Sequence, residues 1–307
     1  MDVVCLGILV ADVIARPVDG RPAPGSLTLV DEISVHGGGC ALNTASALVS
    51  MGLEAAVVGK LGADPLGDHL LELLDERHVA REAVLRDPSV GTSTTVVLVD
   101  SGGERTFLHV PGANAELRAD ELDQVALYAG RALHLAGALV LERLDGEPLA
   151  RIAAEARSRG ILTSLDTVWD PSGRWSRVEP CLPELDLAFP SLAEGRAISG
   201  EEDPPRVAAW FRGRGVREVA LTMGDGGCFA AGDTFEGYVA APVVDAVDGT
   251  GAGDAFAAGV LYGKLAGWTF ERSVRLGSAA GAAAATTVGA TLGGFGLADV
   301  LALGGLE

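Results

Sequence analysis

The chain has 307 residues, of which 48% are hydrophobic, and a formal net charge of −19. This length and composition provide for one large hydrophobic core. The strongly negative charge excludes nucleic acid as a partner, because one polyanion repels another.

The first third of the chain is rich in predicted β-structure. The stretch "CLGILVADV" predicts an early strand followed by an acid. The segments "GSLTLVDEISVHG" and "GTSTTVVLVDSGGERTFLHVPG" contain no helix, and the second turns at Asp100–Gly103. We expect them to form a small antiparallel sheet, from about residues 13–36 and 90–111. Because such a sheet cannot bury both of its faces alone, it is predicted to be a lid over a site or a partner surface.

From about residue 55 onward, strands and amphipathic helices alternate. The strands are "AAVVGKLG", "RALHLAGAL", "ILTSLD", "DLAFP" and "EVALTM". Helices are predicted after Asp64-Pro65, from Gly146 to Gly160, at about Ser191–Ser199 and at Pro205–Arg214. This alternation predicts a single α/β domain over residues 1–307, in which helices cover both faces of a parallel sheet. The small residues of Ser278–Leu292 predict a buried helix rather than a membrane span.

The loop "DGTGAGDAF" near the C-terminus contains Gly249, Gly251 and Gly253 between two aspartates. Its spacing matches the first half of a dinucleotide-binding fingerprint, but Asp254 stands where the last glycine is needed. A carboxylate there would repel a pyrophosphate, and the loop does not follow the first strand. The sequence therefore excludes a dinucleotide-dependent dehydrogenase.

The same loop suits a phosphoryl group. The backbone amides of Gly251, Ala252 and Gly253 can converge on an anion at the positive end of the following helix. Asp254 lies where it could take a proton from an incoming hydroxyl group. Aspartate is also favoured at a helix start, so the loop alone leaves both interpretations open. No GxxxxGK[ST] motif is present, which leaves backbone amides, metal and arginine to hold the phosphates.

A second glycine cluster, in "VHGGGCALNTASALVSMG", precedes a helix that is predicted to end at Gly52. Adjacent glycines allow close approach of a hydroxylated ligand, and Asn43 offers both a donor and an acceptor. Taken alone, the cluster predicts only a tight turn and a capped helix.

In combination, the early strand with its acid, the GG-xxx-N motif and the late DGTGAGD motif resemble the ribokinase-like (PfkB) carbohydrate kinase family. The resemblance covers nearly the whole chain, and "VVGKLGADPLGDHLLELL", "VPGAN", "LTMGDGG" and "VGATLGG" follow in family order. It implies a three-layer α/β sandwich with a central, mostly parallel sheet and a β lid. It also implies ATP-dependent phosphorylation of a sugar hydroxyl group.

The resemblance also implies roles for individual residues. Asp254 would be the catalytic base, beside an anion hole formed by Gly251, Ala252 and Gly253. The further groups are sugar-binding Asp12, Gly38, Gly39 and Asn43; nucleotide-binding Thr222, Gly224, Gly227 and Ser278; and potassium-binding Asp248 and Thr250, with the backbone near Ala284–Gly289.

The expected magnesium network departs from the family pattern. Members often have Asn-x-x-Glu after the strand that here reads "DLAFP", whereas this chain has Ser191-Leu-Ala-Glu194. Ser-x-x-Glu at a helix start is also a capping box. We expect Glu194 in the magnesium network, with direct ligation left open, and Asp166, at the end of a strand, as a second candidate.

The acceptor is predicted to be a neutral sugar such as ribose or fructose, because "GGGCALN" carries no cation for a phosphorylated one. A nucleoside is the alternative, because the family that the chain resembles also phosphorylates adenosine and related compounds; Phe107 is the clearest aromatic residue in the lid that could favour a base. A regulator that binds sugar or nucleotide without turnover is a third possibility, favoured by Ser191 and opposed by Asp254.

The lid strands in Ser26–Val35 and Thr92–Val110 carry apolar residues on both faces, which predicts a homodimer joined through them.

The four cysteines form no CxxC motif and no signal peptide is recognised. These two features predict reduced thiols in a cytoplasmic protein that has no membrane partner.

Overall fold

The structure is a computed structural model and describes residues 1–20, 24–287, 289, 292 and 294–306. The strands are β1 Val3–Gly7, β2 Val10–Arg16, β3 Glu32–Gly38, β4 Ala55–Gly62, β5 Val84–Asp87, β6 Thr94–Val99, β7 Arg105–Val110, β8 Ala132–Ala138, β9 Leu162–Thr167, β10 Leu187–Phe189, β11 Glu218–Thr222, β12 Cys228–Ala231 and β13 Glu236–Val239.

The α-helices are α1 Cys40–Ser50, α2 Pro65–Glu76, α3 Gly112–Ala115, α4 Gln124–Leu127, α5 Glu147–Ser158, α6 Leu192–Ser199, α7 Pro204–Arg212, α8 Ala252–Leu265, α9 Phe270–Ala284 and α10 Leu297–Leu303. Short 3₁₀ segments cover Ala119–Glu121, Trp175–Glu184 and Gly224–Gly226.

The main sheet has the order β13-β12-β11-β10-β9-β8-β1-β4-β5. All its pairs are parallel except those that β12 makes with β11 and β13 at one edge. The central strands β1 and β8 are buried along their whole length, as expected for apolar strands with helices on both sides. The predicted mostly parallel sheet is therefore confirmed.

Helices pack on both faces of this sheet. One core contains residues of α1, α8 and α9, and the other contains residues of α5 and α7. The resulting three-layer sandwich confirms the predicted fold class. Within the described ranges, no helix is both long and apolar enough to cross a bilayer.

The alanine-rich run explains the close packing of α8 on α9. A Cβ atom added at Gly259 would lie 2.7 Å from the Cα of Gly277, so the two helices touch through backbone. Ala279, Ala280 and Ala283 are fully buried beside this contact. The predicted buried helix is confirmed as far as Ala284, after which the described residues of the run are not helical.

The small sheet has the order β3-β2-β6-β7. Its β2–β6 pair is parallel, so the expectation of a purely antiparallel sheet was wrong. Of the segment that begins at Gly25, only β3 from Glu32 onward is a strand.

The stretch "CLGILVADV" does not form one strand, because the chain changes sheets within it. Strand β1 ends at Gly7 in the main sheet and β2 begins at Val10 in the small one. Between them, the Asn114 side chain accepts from the Leu9 amide at 3.2 Å and donates to the Leu9 carbonyl at 2.9 Å. A side chain from "VPGAN" therefore replaces the missing strand partner, which local pattern alone could not indicate.

Candidate active site

Asp254 lies in the first turn of α8 with 8% of its surface exposed. The helix begins after Gly251, whose φ of 75° is left-handed and favours glycine. The first amides of a helix have no partner inside it, and they carry the positive end of the helix dipole. The amide of Ala252 donates to the Gly249 carbonyl at 3.3 Å, whereas the amides of Gly253 and Asp254 have no backbone partner among the described residues.

The Asp254 carboxylate is held by residues far away in the sequence. The Asn43 amide donates to its Oδ2 at 2.7 Å, and the Cys40 thiol lies close to it. The side-chain ligand atoms of Cys40, Asp166 and Asp254 all lie within 4.8 Å of one another. Helix α1 thus contributes two of the groups that position Asp254.

Burial raises the pKa of Asp254, and Asn43 and Cys40 oppose that rise. Burial, and then the charge of Asp254, raise the pKa of Asp166 well above its usual range. Asp166 and Asp254 therefore form a pair of adjacent buried carboxyl groups, in which two negative charges disfavour each other. The carboxylate form of Asp254 is the one that can accept a proton from a substrate.

Asn43 has one polar atom, Oδ1, for which the described residues provide no partner. Its Oδ1 is buried, while its Nδ2 is fixed by Asp254. A buried, unpaired amide oxygen is costly unless a ligand supplies a donor. A sugar hydroxyl group would satisfy it directly beside Asp254.

A cavity of about 390 Å³ lies between the small sheet, which is the predicted lid, and the glycine loop. It is lined by the predicted residues Asp12, Asp248 and Thr250, and by Gly37 of the glycine cluster. Gly38 lies behind Asp12, since a Cβ atom on it would be 2.2 Å from the Asp12 carboxylate. Burial raises the pKa of Asp12 to about 6, against the opposing hydrogen bond from Thr95.

Gly39 does not line the cavity, and its role is to allow a close backbone contact. Its φ is 90°, and a Cβ atom there would lie 2.5 Å from the Ile8 carbonyl oxygen. The residue allows α1 to start against the end of β1, which brings Cys40 and Asn43 to Asp254.

A second cavity, of about 680 Å³, lies on the other side of the glycine loop. All four residues predicted to bind the nucleotide line it: Thr222, Gly224, Gly227 and Ser278. Gly249, Ala252 and Gly253 of the loop line it as well. The Ser278 hydroxyl group donates to the Ala240 carbonyl at 3.4 Å.

Glu194 forms the capping box that its spacing predicts. Its Oε2 accepts from the Ser191 amide at 2.9 Å and from the Thr167 hydroxyl group at 2.8 Å. Burial raises its pKa against these hydrogen bonds, and its charge contributes to the raised pKa of Asp166. Glu194 therefore belongs to the same buried acidic region as Asp166 and Asp254.

Asp248 and Thr250 bind a side chain that the sequence did not indicate. Arg105 of β7 donates from Nη1 to Asp248 Oδ1 at 2.6 Å and to Thr250 Oγ1 at 2.7 Å. Of the backbone expected to share a potassium site with them, residues 284–287 and 289 are described. Most of the related segment "VGATLGG", namely residues 288, 290, 291 and 293, lies outside the described residues.

Arg105, Cys40 and Thr95 were missed by sequence reasoning. Cys40 stands inside the quoted "GGGCALN", so its proximity to the base could have been considered. Arg105 and Thr95 lie on strands with no motif of their own, and only the pairing of the small sheet places them in the cavity.

Solved structures that share this fold include sugar kinases. The chain superposes on an Arabidopsis thaliana ribokinase complexed with ribose and ATP with a TM-score of 0.86 and 21% identity, covering 100% of this chain and 99% of the other. A putative ribokinase II from E. coli in complex with ATP and Mg²⁺ gives 0.84 at 20% identity, covering 98% of each. The fold is therefore that of the ribokinases.

Comparison of the sequence with known families shows to which family the chain belongs. The model for the pfkB family carbohydrate kinases matches residues 1–293. A probable fructokinase-4 from Arabidopsis thaliana is 31% identical over 241 residues, which are 73% of this chain and 72% of that protein. The chain belongs to the pfkB family of carbohydrate kinases, and it is an ATP-dependent sugar phosphotransferase.

Proposed function

We propose that this kinase transfers the γ-phosphoryl group of ATP to a hydroxyl group of a small neutral sugar, ribose- or fructose-like. The observation that carries the proposal is the position of the glycine loop. Asp248 and Thr250 line the cavity under the lid, while Gly249, Ala252 and Gly253 line the second cavity. A phosphoryl group that passes from one cavity to the other must pass this loop and Asp254.

In the proposed reaction, Asp254 takes the proton from the attacking hydroxyl group. Asn43 holds the carboxylate through its Nδ2 and accepts from the sugar through its unpaired Oδ1. The amides at the start of α8 stabilise the charge that develops on the transferred group.

The proposed cofactors are ATP and Mg²⁺. Asp166, Asp254 and Glu194 are all buried, the carboxylates of Asp166 and Asp254 lie within 4.8 Å of each other, and the charge of Glu194 acts on Asp166. Carboxylate oxygens suit a hard divalent cation, whereas the Cys40 thiol does not, so Glu194 and Asp166 would hold it. When bound, Mg²⁺ would neutralise part of the negative charge of the phosphate groups.

A neutral acceptor fits the charges of the cavity under the lid. Both arginines in its lining are already paired, Arg16 with Glu32 and Arg105 with Asp248, each at 2.6 Å. Both positive charges are therefore already balanced by carboxylates, which makes the cavity less favourable for a phosphorylated sugar than one with unpaired cations would be. A nucleoside is the second candidate, because the exposed Phe107 ring lies in the lining and could stack on a base.

The acceptor class can be tested by a screen. We expect turnover with ribose, fructose or adenosine to be at least as good as with fructose 6-phosphate or tagatose 6-phosphate at equal concentration. ADP release, followed in a coupled assay, is the measurement. A clear preference for a sugar phosphate would contradict the neutral acceptor, and ATP binding without turnover of any acceptor would favour the regulator.

We further propose that each chain forms a single domain, that the protein is cytoplasmic, and that two copies form a homodimer joined through the lid. In the small sheet, Asp12, Thr95 and Phe107 share the face that lines the cavity, as the register requires. The opposite face carries four exposed apolar side chains, on β3 and β7: Ile33, Val35, Leu108 and Val110. An exposed apolar sheet face favours a partner surface, and a second copy of this lid would cover it.

For this dimer, sedimentation of the wild type at micromolar concentration is expected to give twice the mass of one chain. The double change Ile33→Glu and Leu108→Glu should give a monomer, because it places charges on the apolar face. Val125→Glu is the control, since Val125 is also an exposed apolar residue but lies outside the lid. A wild-type monomer, or a dimer that survives the double change, would contradict the proposal.

A further inference from the structure

Arg105 connects the lid to the loop that carries the predicted anion hole. It lies on β7, and its guanidinium group reaches Asp248 and Thr250, 143 and 145 positions further along the chain. The pair is partly buried, with 32% of the Arg105 side chain and 12% of the Asp248 side chain exposed. An ion pair this sheltered is screened less by salt than a surface pair is.

Asp248 accepts hydrogen bonds at both of its carboxylate oxygens. Its Oδ1 accepts from Arg105, from the Thr250 hydroxyl group at 2.7 Å and from the Thr250 amide at 2.9 Å. Its Oδ2 accepts from the Gly289 amide at 3.1 Å. Asp248 thereby joins three segments: the lid, the glycine loop and the segment after α9.

These contacts do not fit a resident potassium ion at Asp248 and Thr250. Such an ion needs several free oxygen ligands, and both carboxylate oxygens of Asp248 already accept hydrogen bonds. The guanidinium group is itself a cation on the same carboxylate oxygen and the same hydroxyl oxygen. A second cation in direct contact with it would be repelled.

We propose that the Arg105 guanidinium group takes the place of a monovalent cation beside the glycine loop and makes turnover independent of potassium. The inference rests on the proposed kinase function of this site. Arg105 acts as a positioning residue, because its contacts fix Asp248 and Thr250 and, through them, the loop ahead of Gly251. The same contacts hold the lid over the sugar cavity, so that lid closure and loop order depend on one side chain.

The test compares turnover in potassium chloride, sodium chloride and tetramethylammonium chloride at equal ionic strength. The wild type is expected to be equally active in all three. Arg105→Met should lower turnover by ~10-fold or more in tetramethylammonium chloride, because small displacements of positioned groups cost rate steeply. Potassium should restore most of that loss by binding the freed oxygens of Asp248 and Thr250. A wild type that potassium activates several-fold, or an Arg105→Met variant as active as the wild type, would overturn the proposal.

Two further variants show whether the effect of Arg105→Met comes from the lost positive charge or from a general loss of stability. Arg105→Lys keeps a cation and should retain turnover without potassium. Arg81→Gln breaks a surface ion pair with Asp75, whose shortest contact is also 2.6 Å, and should leave activity and its salt response unchanged.

The role of Arg105 can also be measured without a sugar acceptor, so that it is tested separately from the proposed kinase function. Hydrogen exchange of the 248–254 amides should quicken in Arg105→Met without potassium and slow again when potassium is added. If no acceptor is phosphorylated, the proposed function fails while this exchange pattern still supports the role of Arg105. Exchange that is the same in both proteins would overturn that role, whatever the activity.

Discussion

Replacing Asp254 with asparagine is expected to lower the turnover number by ~10²-fold or more, because the amide cannot take the proton of the attacking hydroxyl group. The size of the side chain is kept, and Asn43 can still donate to the new carbonyl oxygen. Nucleotide affinity, measured by calorimetry with ADP, should be unchanged, since Thr222, Gly224 and Gly227 line the larger cavity and are not altered. The expected product is a folded protein that binds nucleotide and is nearly inactive.

The alternative role of Asp254, a residue that merely starts a helix, gives the opposite result. Asparagine is nearly as good as aspartate at such positions, so activity and melting temperature would barely change. Asp123→Asn is a matched control, because Asp123 caps α4 by accepting from the amides of Val125 and Ala126. An Asp254→Asn protein with near wild-type turnover would refute the base assignment.

Replacing Gly38 with alanine is expected to raise the KM for the sugar by ~10-fold or more, since hydrogen bonds to charged groups contribute about 1.5–3 kcal/mol. A Cβ atom on Gly38 would lie 2.2 Å from Oδ2 of Asp12, so the carboxylate must swing away from its place in the cavity. Gly38 lies in β3 and is not among the glycines with positive φ, so the backbone itself accepts alanine. The KM for ATP should hardly change.

Gly91→Ala is the control for this substitution. Its added Cβ atom would lie 3.5 Å from Asp64, an ordinary contact, and both KM values should stay near those of the wild type. Steady-state kinetics with varied sugar and varied ATP separate the two effects. An unchanged sugar KM in Gly38→Ala would mean that Asp12 does not bind the acceptor.

The parts of the fold that follow local rules could be predicted from sequence. Asp64 and Pro65 predicted the start of α2, where the Asp64 side chain accepts from the Gly67 amide. Ser191 and Glu194 predicted the capping box of α6, and both of its hydrogen bonds are present. Such signals depend on neighbours within a few positions, which the sequence displays directly.

The arrangement of the candidate site depended on contacts that no local pattern contains. The pairing of Arg105 with Asp248 depends on how the small sheet folds over the main one. The break between β1 and β2 depends on Asn114, 105 positions from Leu9. The motifs indicated which residues carry chemistry, whereas long-range packing decides which of them meet.

The central claim is tested most directly by analysing the products of the wild-type protein with ATP, Mg²⁺ and the best neutral acceptor from the screen. Phosphorus NMR would follow the disappearance of the γ-phosphate signal and identify what replaces it. We predict that ADP and a sugar phosphate form in equal amounts, with no free phosphate. ADP that forms together with inorganic phosphate, while the sugar remains unmodified, would contradict phosphoryl transfer across the glycine loop to a sugar.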